Sequence, residues 1–176
     1  MAGATGKKVL MVIASDQFRD EEYQQPRALL EKAGVKVTVA SSSLDEATGM
    51  LGLKVKPDIL LKEAKVEDYD GVVFVGGMGA TEYWDNPTAH ALARSAHQSG
   101  KLTSAICLAP MTLANAGLLK GKKATIWKDA VGDFKTKGVV YTGKPVERDG
   151  RIITGSGPEA AEEFAKALLE ELGCQD

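Results

Sequence analysis

Cys107 is the residue whose type and position most strongly indicate chemistry. The segment Ala105-Ile106-Cys107-Leu108-Ala109-Pro110 runs from a strand-like stretch into a helix-like one, with an alanine two residues to either side of the cysteine. This arrangement follows the logic of a nucleophile elbow, whose turn is so sharp that bulky neighbours would clash. The start of the following helix is expected to lower the pKa of the thiol and favour the reactive thiolate. The alternative is an inert thiol, because free cysteines are often fully buried.

A glycine-rich turn, Gly76-Gly77-Met78-Gly79-Ala80, follows another strand-like stretch. Glycines let the backbone approach a ligand closely and point its amides at developing negative charge. The turn lacks both the G-x-G-x-x-G order and the lysine of a P-loop, so it does not predict nucleotide binding. Taken alone, it is equally compatible with a plain turn.

The acidic triplet Asp20-Glu21-Glu22 follows the first strand-like stretch and could bring a carboxyl to the same place. Most acidic triplets are solvated helix starts. Pro26 limits how far upstream a regular helix extends, which predicts an irregular or kinked first turn around Glu22. A carboxyl pushed into a cleft beside a thiolate has a raised pKa and can donate a hydrogen bond.

The remaining histidines and cysteine form no pattern typical of a site. His90 and His97 do not fit the H-E-x-x-H metal spacing, and we expect both to be surface or core residues. Cys174 lies near the end of the chain, and two cysteines are too few for a disulfide framework. We therefore expect no metal and no cofactor, and a reducing, cytoplasmic setting.

The elements that must position these residues alternate between strands and helices joined by short turns. Residues 45–68 are punctuated by glycine and proline and predict a small hairpin or an irregular crossover. Predicted helices are one ending at Gly34, Pro87–Gln98, Met111–Leu119 and a last one from Ser156 to Gly173. Predicted strands are Val9–Ala14, Val35–Ala40, Gly71–Gly77, Leu102–Ile106, Ala124–Trp127, Val139–Thr142 and Arg151–Thr154, the last two bracketing a turn at Asp149-Gly150.

This alternation predicts an α/β fold with a mainly parallel central sheet covered by helices on both faces. Uninterrupted apolar runs predict that Val9–Ile13, Val72–Val75 and Thr103–Ile106 are adjacent buried strands. Reactive groups gather at the carboxyl ends of such strands, so the loops that follow them should converge.

The composition is that of an ordinary globular domain, with 44% hydrophobic and 26% charged residues and a net charge of -2. The length of 176 residues predicts a single domain over residues 1–176. No basic face and no stretch of transmembrane length is present in the sequence, so neither nucleic acid nor a membrane is expected as a partner.

Together the motifs resemble those of the DJ-1/PfpI (ThiJ) superfamily from Lys8 to about Leu172. The resemblance implies a flavodoxin-like three-layer sandwich that assembles as a homodimer or a higher homo-oligomer. The segments that carry it are Glu22-x-x-x-Pro26, Val75-Gly76-Gly77, Ala105-Ile106-Cys107, and Asp149-Gly150-Arg151-Ile152-Ile153-Thr154 followed by Gly157-Pro158.

The resemblance also implies roles for individual residues. Cys107 would be the nucleophile, and Glu22, rather than Glu21, would hydrogen-bond its sulfur. The backbone amides of Gly77 and Leu108 would form an oxyanion hole. Supporting positions would be Gly76, Ala105 and Ala109.

The sequence departs from the branches of the superfamily that pair the cysteine with a histidine. Leu108 stands where a peptidase-like branch has histidine, and Trp127 lies in the strand where another branch has one. The segment Thr154-Gly155-Ser156-Gly157-Pro158 also lacks an arginine found in some relatives. Peptide hydrolysis needs a base and then an acid for the leaving amine, so a cysteine peptidase is the least favoured function.

Two functions of different classes stay open. In the first, the protein is a cysteine-dependent glyoxalase or deglycase acting on small reactive aldehydes such as methylglyoxal, or on their adducts. Cys107 would then add to the carbonyl carbon while Glu22 shuttles the proton. In the second, the protein is a non-enzymatic oxidative-stress sensor in which Cys107 is oxidised to a sulfinate.

Overall fold

The structure is a computed structural model that describes residues 2–173, so Cys174 lies outside the described residues. Its helices are α1 Asp20–Lys32, α2 Pro87–Gln98, α3 Pro110–Asn115, α4 Val131–Thr136 and α5 Ala161–Gly173. Its strands are β1 Lys8–Val12, β2 Lys36–Ser41, β3 Ala47–Thr48, β4 Lys54–Val55, β5 Ile59–Leu60, β6 Gly71–Phe74, β7 Leu102–Ile106, β8 Lys123–Ala124, β9 Val140–Tyr141, β10 Val146–Asp149 and β11 Ile152–Gly155.

A seven-stranded sheet in the order β10-β11-β7-β6-β1-β2-β5 forms the centre of the molecule. All neighbouring pairs are parallel except β10 and β11, which form an antiparallel hairpin at one edge. The predicted α/β fold with a mainly parallel sheet is confirmed. The prediction that the three apolar runs are neighbours is also confirmed, because β6 pairs with β1 on one side and with β7 on the other.

The apolar runs form central strands because both faces of the sheet are covered. Leu10 and Val72 belong to a core cluster that includes Leu92 of α2. Met11 and Val73 face the opposite way, into a second cluster that holds Leu30 of α1 together with Phe164 and Leu168 of α5. Alternate side chains of one strand therefore anchor different helical layers, which gives the three-layer sandwich.

The helix α1 differs from its prediction. It runs without interruption from Asp20 through Pro26, so Glu22 lies in a helical first turn and not in an irregular one. A proline lacks the N–H that would bond the carbonyl four residues earlier, and here that carbonyl belongs to Glu22. The amides of Glu22 and Tyr23 both bond the carbonyl of Arg19, which closes the first turn.

The predictions for the later part of the chain are less accurate. The strand predicted at 124–127 is only the short β8, which pairs with β9 outside the main sheet. The turn at Asp149-Gly150 joins β11 to β10, so Val139–Thr142 is not the partner strand. Helix α3 ends at Asn115, short of Leu119, because Gly117 takes a left-handed φ of 84° and turns the chain. Helix α5 begins at Ala161, after a 3₁₀ turn.

Candidate active site

The loops that follow β1, β6 and β7 meet at the carboxyl ends of these neighbouring strands. The amide of Arg19, which precedes α1, donates to the carbonyl of Gly76 at 2.8 Å. The amide of Gly79 donates to the carbonyl of Gln17 at 3.0 Å. These bonds fix the start of α1 against the glycine-rich turn, as the sheet topology predicts for a site of this kind.

Cys107 occupies a strained turn between β7 and α3. Its φ of 65° lies in the left-handed region that side chains other than glycine rarely adopt. Backbone bonds of 2.9 Å hold it on both sides, from its own amide to the Gly155 carbonyl and from the Trp127 amide to its own carbonyl. Such strain costs about 1–3 kcal/mol and persists only where the surroundings enforce it. The residue is 6% exposed.

Glycine is required at residues 76 and 77 by close approach of other groups. A Cβ at Gly76 would lie 2.5 Å from both the Cβ of Cys107 and Oε1 of Glu22. Gly77 has a φ of 110°, and a Cβ there would collide with the backbone between residues 17 and 19. The two glycines therefore let the turn pack directly on the cysteine and the carboxyl.

The Glu22 carboxyl is fully buried beside Cys107. Neither of its oxygens has a hydrogen-bond partner of good geometry within residues 2–173. Burial raises the pKa of Glu22 to about 8, against the opposing influence of the Cys107 thiol, the Arg19 charge and the Gly76 amide. Glu22 is therefore mostly protonated at neutral pH. Glu21, one residue earlier, instead pairs with Arg19 through bonds of 2.9 and 3.0 Å.

The thiol of Cys107 does not have the lowered pKa that its place before a helix predicts. Burial raises its pKa, and the Glu22 charge raises it further. The amides of Gly77 and Leu108 act in the opposite direction, because both favour negative charge on the sulfur. These two amides do not outweigh the burial. The two side chains together thus retain their protons at neutral pH.

A small pocket of about 100 Å³ opens onto the cysteine. Sequence reasoning missed most of its wall, because these residues come from loops far apart in the chain. Met78, Trp127 and Pro158 lie in segments noted for other reasons, but no local signal pointed to Arg19 or Met50. The lining residues are Arg19, Met50, Gly77, Met78, Cys107, Leu108, Trp127 and Pro158.

The side chain of Trp84 supports the turn from the opposite side of the sheet. Its indole N–H donates to the carbonyl of Leu108 at 2.8 Å. The carbonyl of Trp84 itself contacts the ring Nε2 of His90 at 2.8 Å and accepts from the Asn115 side chain at 2.9 Å. His90 is thus engaged away from the cysteine. The alanines at 105 and 109 are both buried.

Asp20 anchors the hairpin that carries one wall of the pocket. Its two carboxylate oxygens accept the amides of Leu51 and Leu53 at 2.9 and 2.8 Å. This fixes the turn between β3 and β4, from which Met50 reaches the pocket. Met50 also accepts a bond from the Met78 amide through its sulfur at 3.4 Å.

Within residues 2–173, no group of three or more His, Cys, Asp or Glu side chains is arranged to hold a metal ion. In that same part of the chain, no helix has both the length and the apolar character needed to cross a membrane.

Comparison with known proteins identifies the family of the chain. The profile of the DJ-1/PfpI family matches residues 7–171. An uncharacterised protein of Methanocaldococcus jannaschii is 41% identical over 94% of this chain and 82% of its own. The deglycase PfpI of Pyrococcus furiosus is 30% identical over 85% of this chain and 90% of its own. The crystal structure of a ThiJ/PfpI domain protein from Brachyspira murdochii has a TM-score of 0.94 at 29% identity, covering 97% of this chain and 98% of that one. The chain belongs to the DJ-1/PfpI family.

Proposed function

We propose that this member of the DJ-1/PfpI family is a cysteine-dependent deglycase, with glyoxalase activity on free methylglyoxal. The observation that carries the proposal is the burial of a protonated Glu22 carboxyl beside the Cys107 thiol, at a turn where two amides face the sulfur. The Pyrococcus furiosus relative named a deglycase supports the choice of reaction. The pocket of about 100 Å³ suits a fragment of a few carbon atoms.

The first step joins the sulfur to the substrate carbon. With methylglyoxal, Cys107 adds to the aldehyde carbon and the thiol proton is delivered to the carbonyl oxygen, which gives a hemithioacetal. With an amine adduct of methylglyoxal, the sulfur displaces the amine, which leaves with the thiol proton. The amides of Gly77 and Leu108 stabilise the negative charge that develops on oxygen. We assign the proton relay to Glu22, because this carboxyl lies beside the thiol and neither of its oxygens has another hydrogen-bond partner of good geometry within residues 2–173.

The later steps convert the hemithioacetal into lactate. A proton moves from the carbon bonded to sulfur to the neighbouring ketone carbon through an enediol, again relayed by Glu22. The first carbon is thereby oxidised to a thioester and the second is reduced to an alcohol. Water cleaves the C–S bond, which releases lactate and restores the thiol. No external oxidant, reductant or cofactor enters this sequence.

A peptidase function has less support. The chain has two histidines, and His90 and His97 both lie on α2. Neither lines the pocket at Cys107. Without a histidine beside the sulfur, the acid and base steps fall to Glu22, and a positioned acid–base group contributes about 10²–10⁴-fold. We therefore expect slower turnover than in relatives that have a histidine at the site.

The proposal is tested by turnover of methylglyoxal and of its amine adducts, followed as lactate released. Cys107→Ser should abolish turnover, and Cys174→Ser should leave it intact. Activity that survives Cys107→Ser would remove the mechanism. If the wild-type protein shows no turnover while peroxide converts Cys107 to a sulfinate, the stress-sensor function takes its place.

We also propose, mainly from the family resemblance, that the protein assembles as a homodimer. Exposed apolar side chains near the pocket support this, with Met50, Leu51 and Met78 at 39%, 65% and 57% exposure. Sedimentation velocity should give a dimer at micromolar concentration. A monomer there would contradict the proposal.

A further inference from the structure

A second and larger cavity adjoins the pocket at Cys107. Its volume is about 520 Å³, within the range of about 300–1,000 Å³ typical of small-molecule sites. The two cavities share three wall residues, Arg19, Trp127 and Pro158. A molecule seated in the larger cavity would therefore lie next to the small pocket, against these side chains.

The charges of the larger cavity are balanced in sign. Arg19 and Glu21 neutralise one another through their two short bonds. Lys128 lies over the Trp127 ring at 5.6 Å, and its ammonium has no carboxylate partner within the described residues. Glu159 is exposed on the same wall and likewise forms no ion pair in that part of the chain. One unpaired cation and one unpaired anion thus face the same space, with an aromatic surface beside them.

We propose that this cavity binds the zwitterionic part of a free amino acid, the carrier from which the small pocket removes the carbonyl fragment. Lys128 takes the α-carboxylate, Glu159 takes the α-ammonium, and Trp127 packs along the aliphatic side chain. The adducted end of the side chain then passes between Arg19 and Pro158 to Cys107. This inference rests on the proposed function and narrows its substrate to adducts of free amino acids.

The test is protection of Cys107 from iodoacetamide by four matched compounds, in a Cys174→Ser background so that one thiol is followed. The compounds are Nε-acetyl-lysine, its Nα-acetyl form, its carboxamide, and the doubly blocked form. They carry both charges, the carboxylate alone, the ammonium alone, and neither. We expect half-protection by Nε-acetyl-lysine at a concentration about tenfold below that of either singly blocked form, as one charge-assisted contact predicts.

Two variants and a control assign the charges. Lys128→Gln should remove the advantage of the carboxylate, and Glu159→Gln should remove the advantage of the ammonium. Lys122→Gln removes the same charge as Lys128→Gln, but residue 122 lies outside the cavity wall. This control should therefore leave both the carboxylate advantage and the ammonium advantage unchanged. Equal half-protection by all four compounds, or protection that follows the carboxylate alone, overturns the proposal.

Turnover is measured separately, as the ratio of kcat/KM for the zwitterionic and doubly blocked methylglyoxal adducts. The ratio should exceed one in the wild-type protein and fall toward one in Lys128→Gln. Charge-dependent protection without any turnover would keep the cavity assignment and remove the deglycase function. Turnover with a ratio of one in the wild-type protein overturns the cavity assignment and keeps the deglycase function.

Discussion

Replacing Glu22 by glutamine should change how the stability of the protein depends on pH. The pKa of Glu22 is about 8 in the folded protein, against 4.5 as its ordinary value. The folded state therefore holds this proton more tightly than the unfolded state. The contribution of the Glu22 carboxyl to the free energy of unfolding is full below pH 4.5 and is lost as the pH rises through about 8. A shift of one pKa unit corresponds to about 1.4 kcal/mol. Across this pH window, the free energy of unfolding of the wild-type protein should therefore fall by roughly 3–5 kcal/mol relative to that of Glu22→Gln.

The assay is urea unfolding of both proteins at several values between about pH 5 and pH 8, where all other groups cancel in the difference. The Cys107 thiol stays protonated over this range in both states, because its pKa is raised further by folding. Glu21→Gln is the matched control. Arg19 lowers the pKa of the Glu21 carboxyl, so the stability that this carboxyl contributes is lost as the pH falls and not as it rises. A difference between wild type and Glu22→Gln that is flat from pH 5 to about pH 8 would refute the burial argument.

Three further substitutions test how the site is held. Gly76→Ala should lower the free energy of unfolding by about 1–3 kcal/mol, because the new Cβ would collide with the Cβ of Cys107. Gly132→Ala in α4 is the control and should not lower the free energy of unfolding, because a Cβ there has no atom within 4 Å. Equal urea midpoints for the two alanine variants would contradict the predicted collision at Gly76. Trp84→Phe should lower kcat about tenfold with little change in KM, because the Leu108 carbonyl loses its bond from the indole and keeps only the longer bond from the Met111 amide. An unchanged kcat would show that the indole bond does not position the turn. Asp20→Asn should speed hydrogen exchange at the two hairpin amides that it accepts, and unchanged protection there would count against its anchoring role.

The central part of the fold could be predicted because its signal is local. Val9–Ile13 and Val72–Val75 are uninterrupted apolar runs, and only burial on both faces explains such runs. The edge strands of the sheet have no comparable pattern in the sequence. Val146–Asp149 is mostly polar and forms the antiparallel edge strand, whereas the more apolar Val139–Thr142 lies outside the main sheet. Edge strands are often polar, so their sequences resemble loops.

The residues of the candidate site likewise fall into those that the sequence could predict and those that it could not. Cys107 and the glycines at 76 and 77 carry local signals, since a sharp turn and a close approach restrict the residue types that fit. Trp127 and Arg19 become neighbours only through tertiary packing, which no local pattern records. The pKa of the thiol was predicted in the wrong direction, because the packed loops bury the thiol and bring the Glu22 carboxyl beside it, and no local pattern records either effect.

The position of β6 between β1 and β7 has a consequence for folding kinetics. Glu22 follows β1 and Cys107 follows β7, so the pair can meet only after both strands have docked on β6. Contacts between such distant segments form slowly, because the chain entropy of a long loop is lost before they are made. During refolding, the thiol should stay open to alkylation until the three central strands have paired. The time at which Cys107 becomes protected therefore reports the closure of the sheet centre.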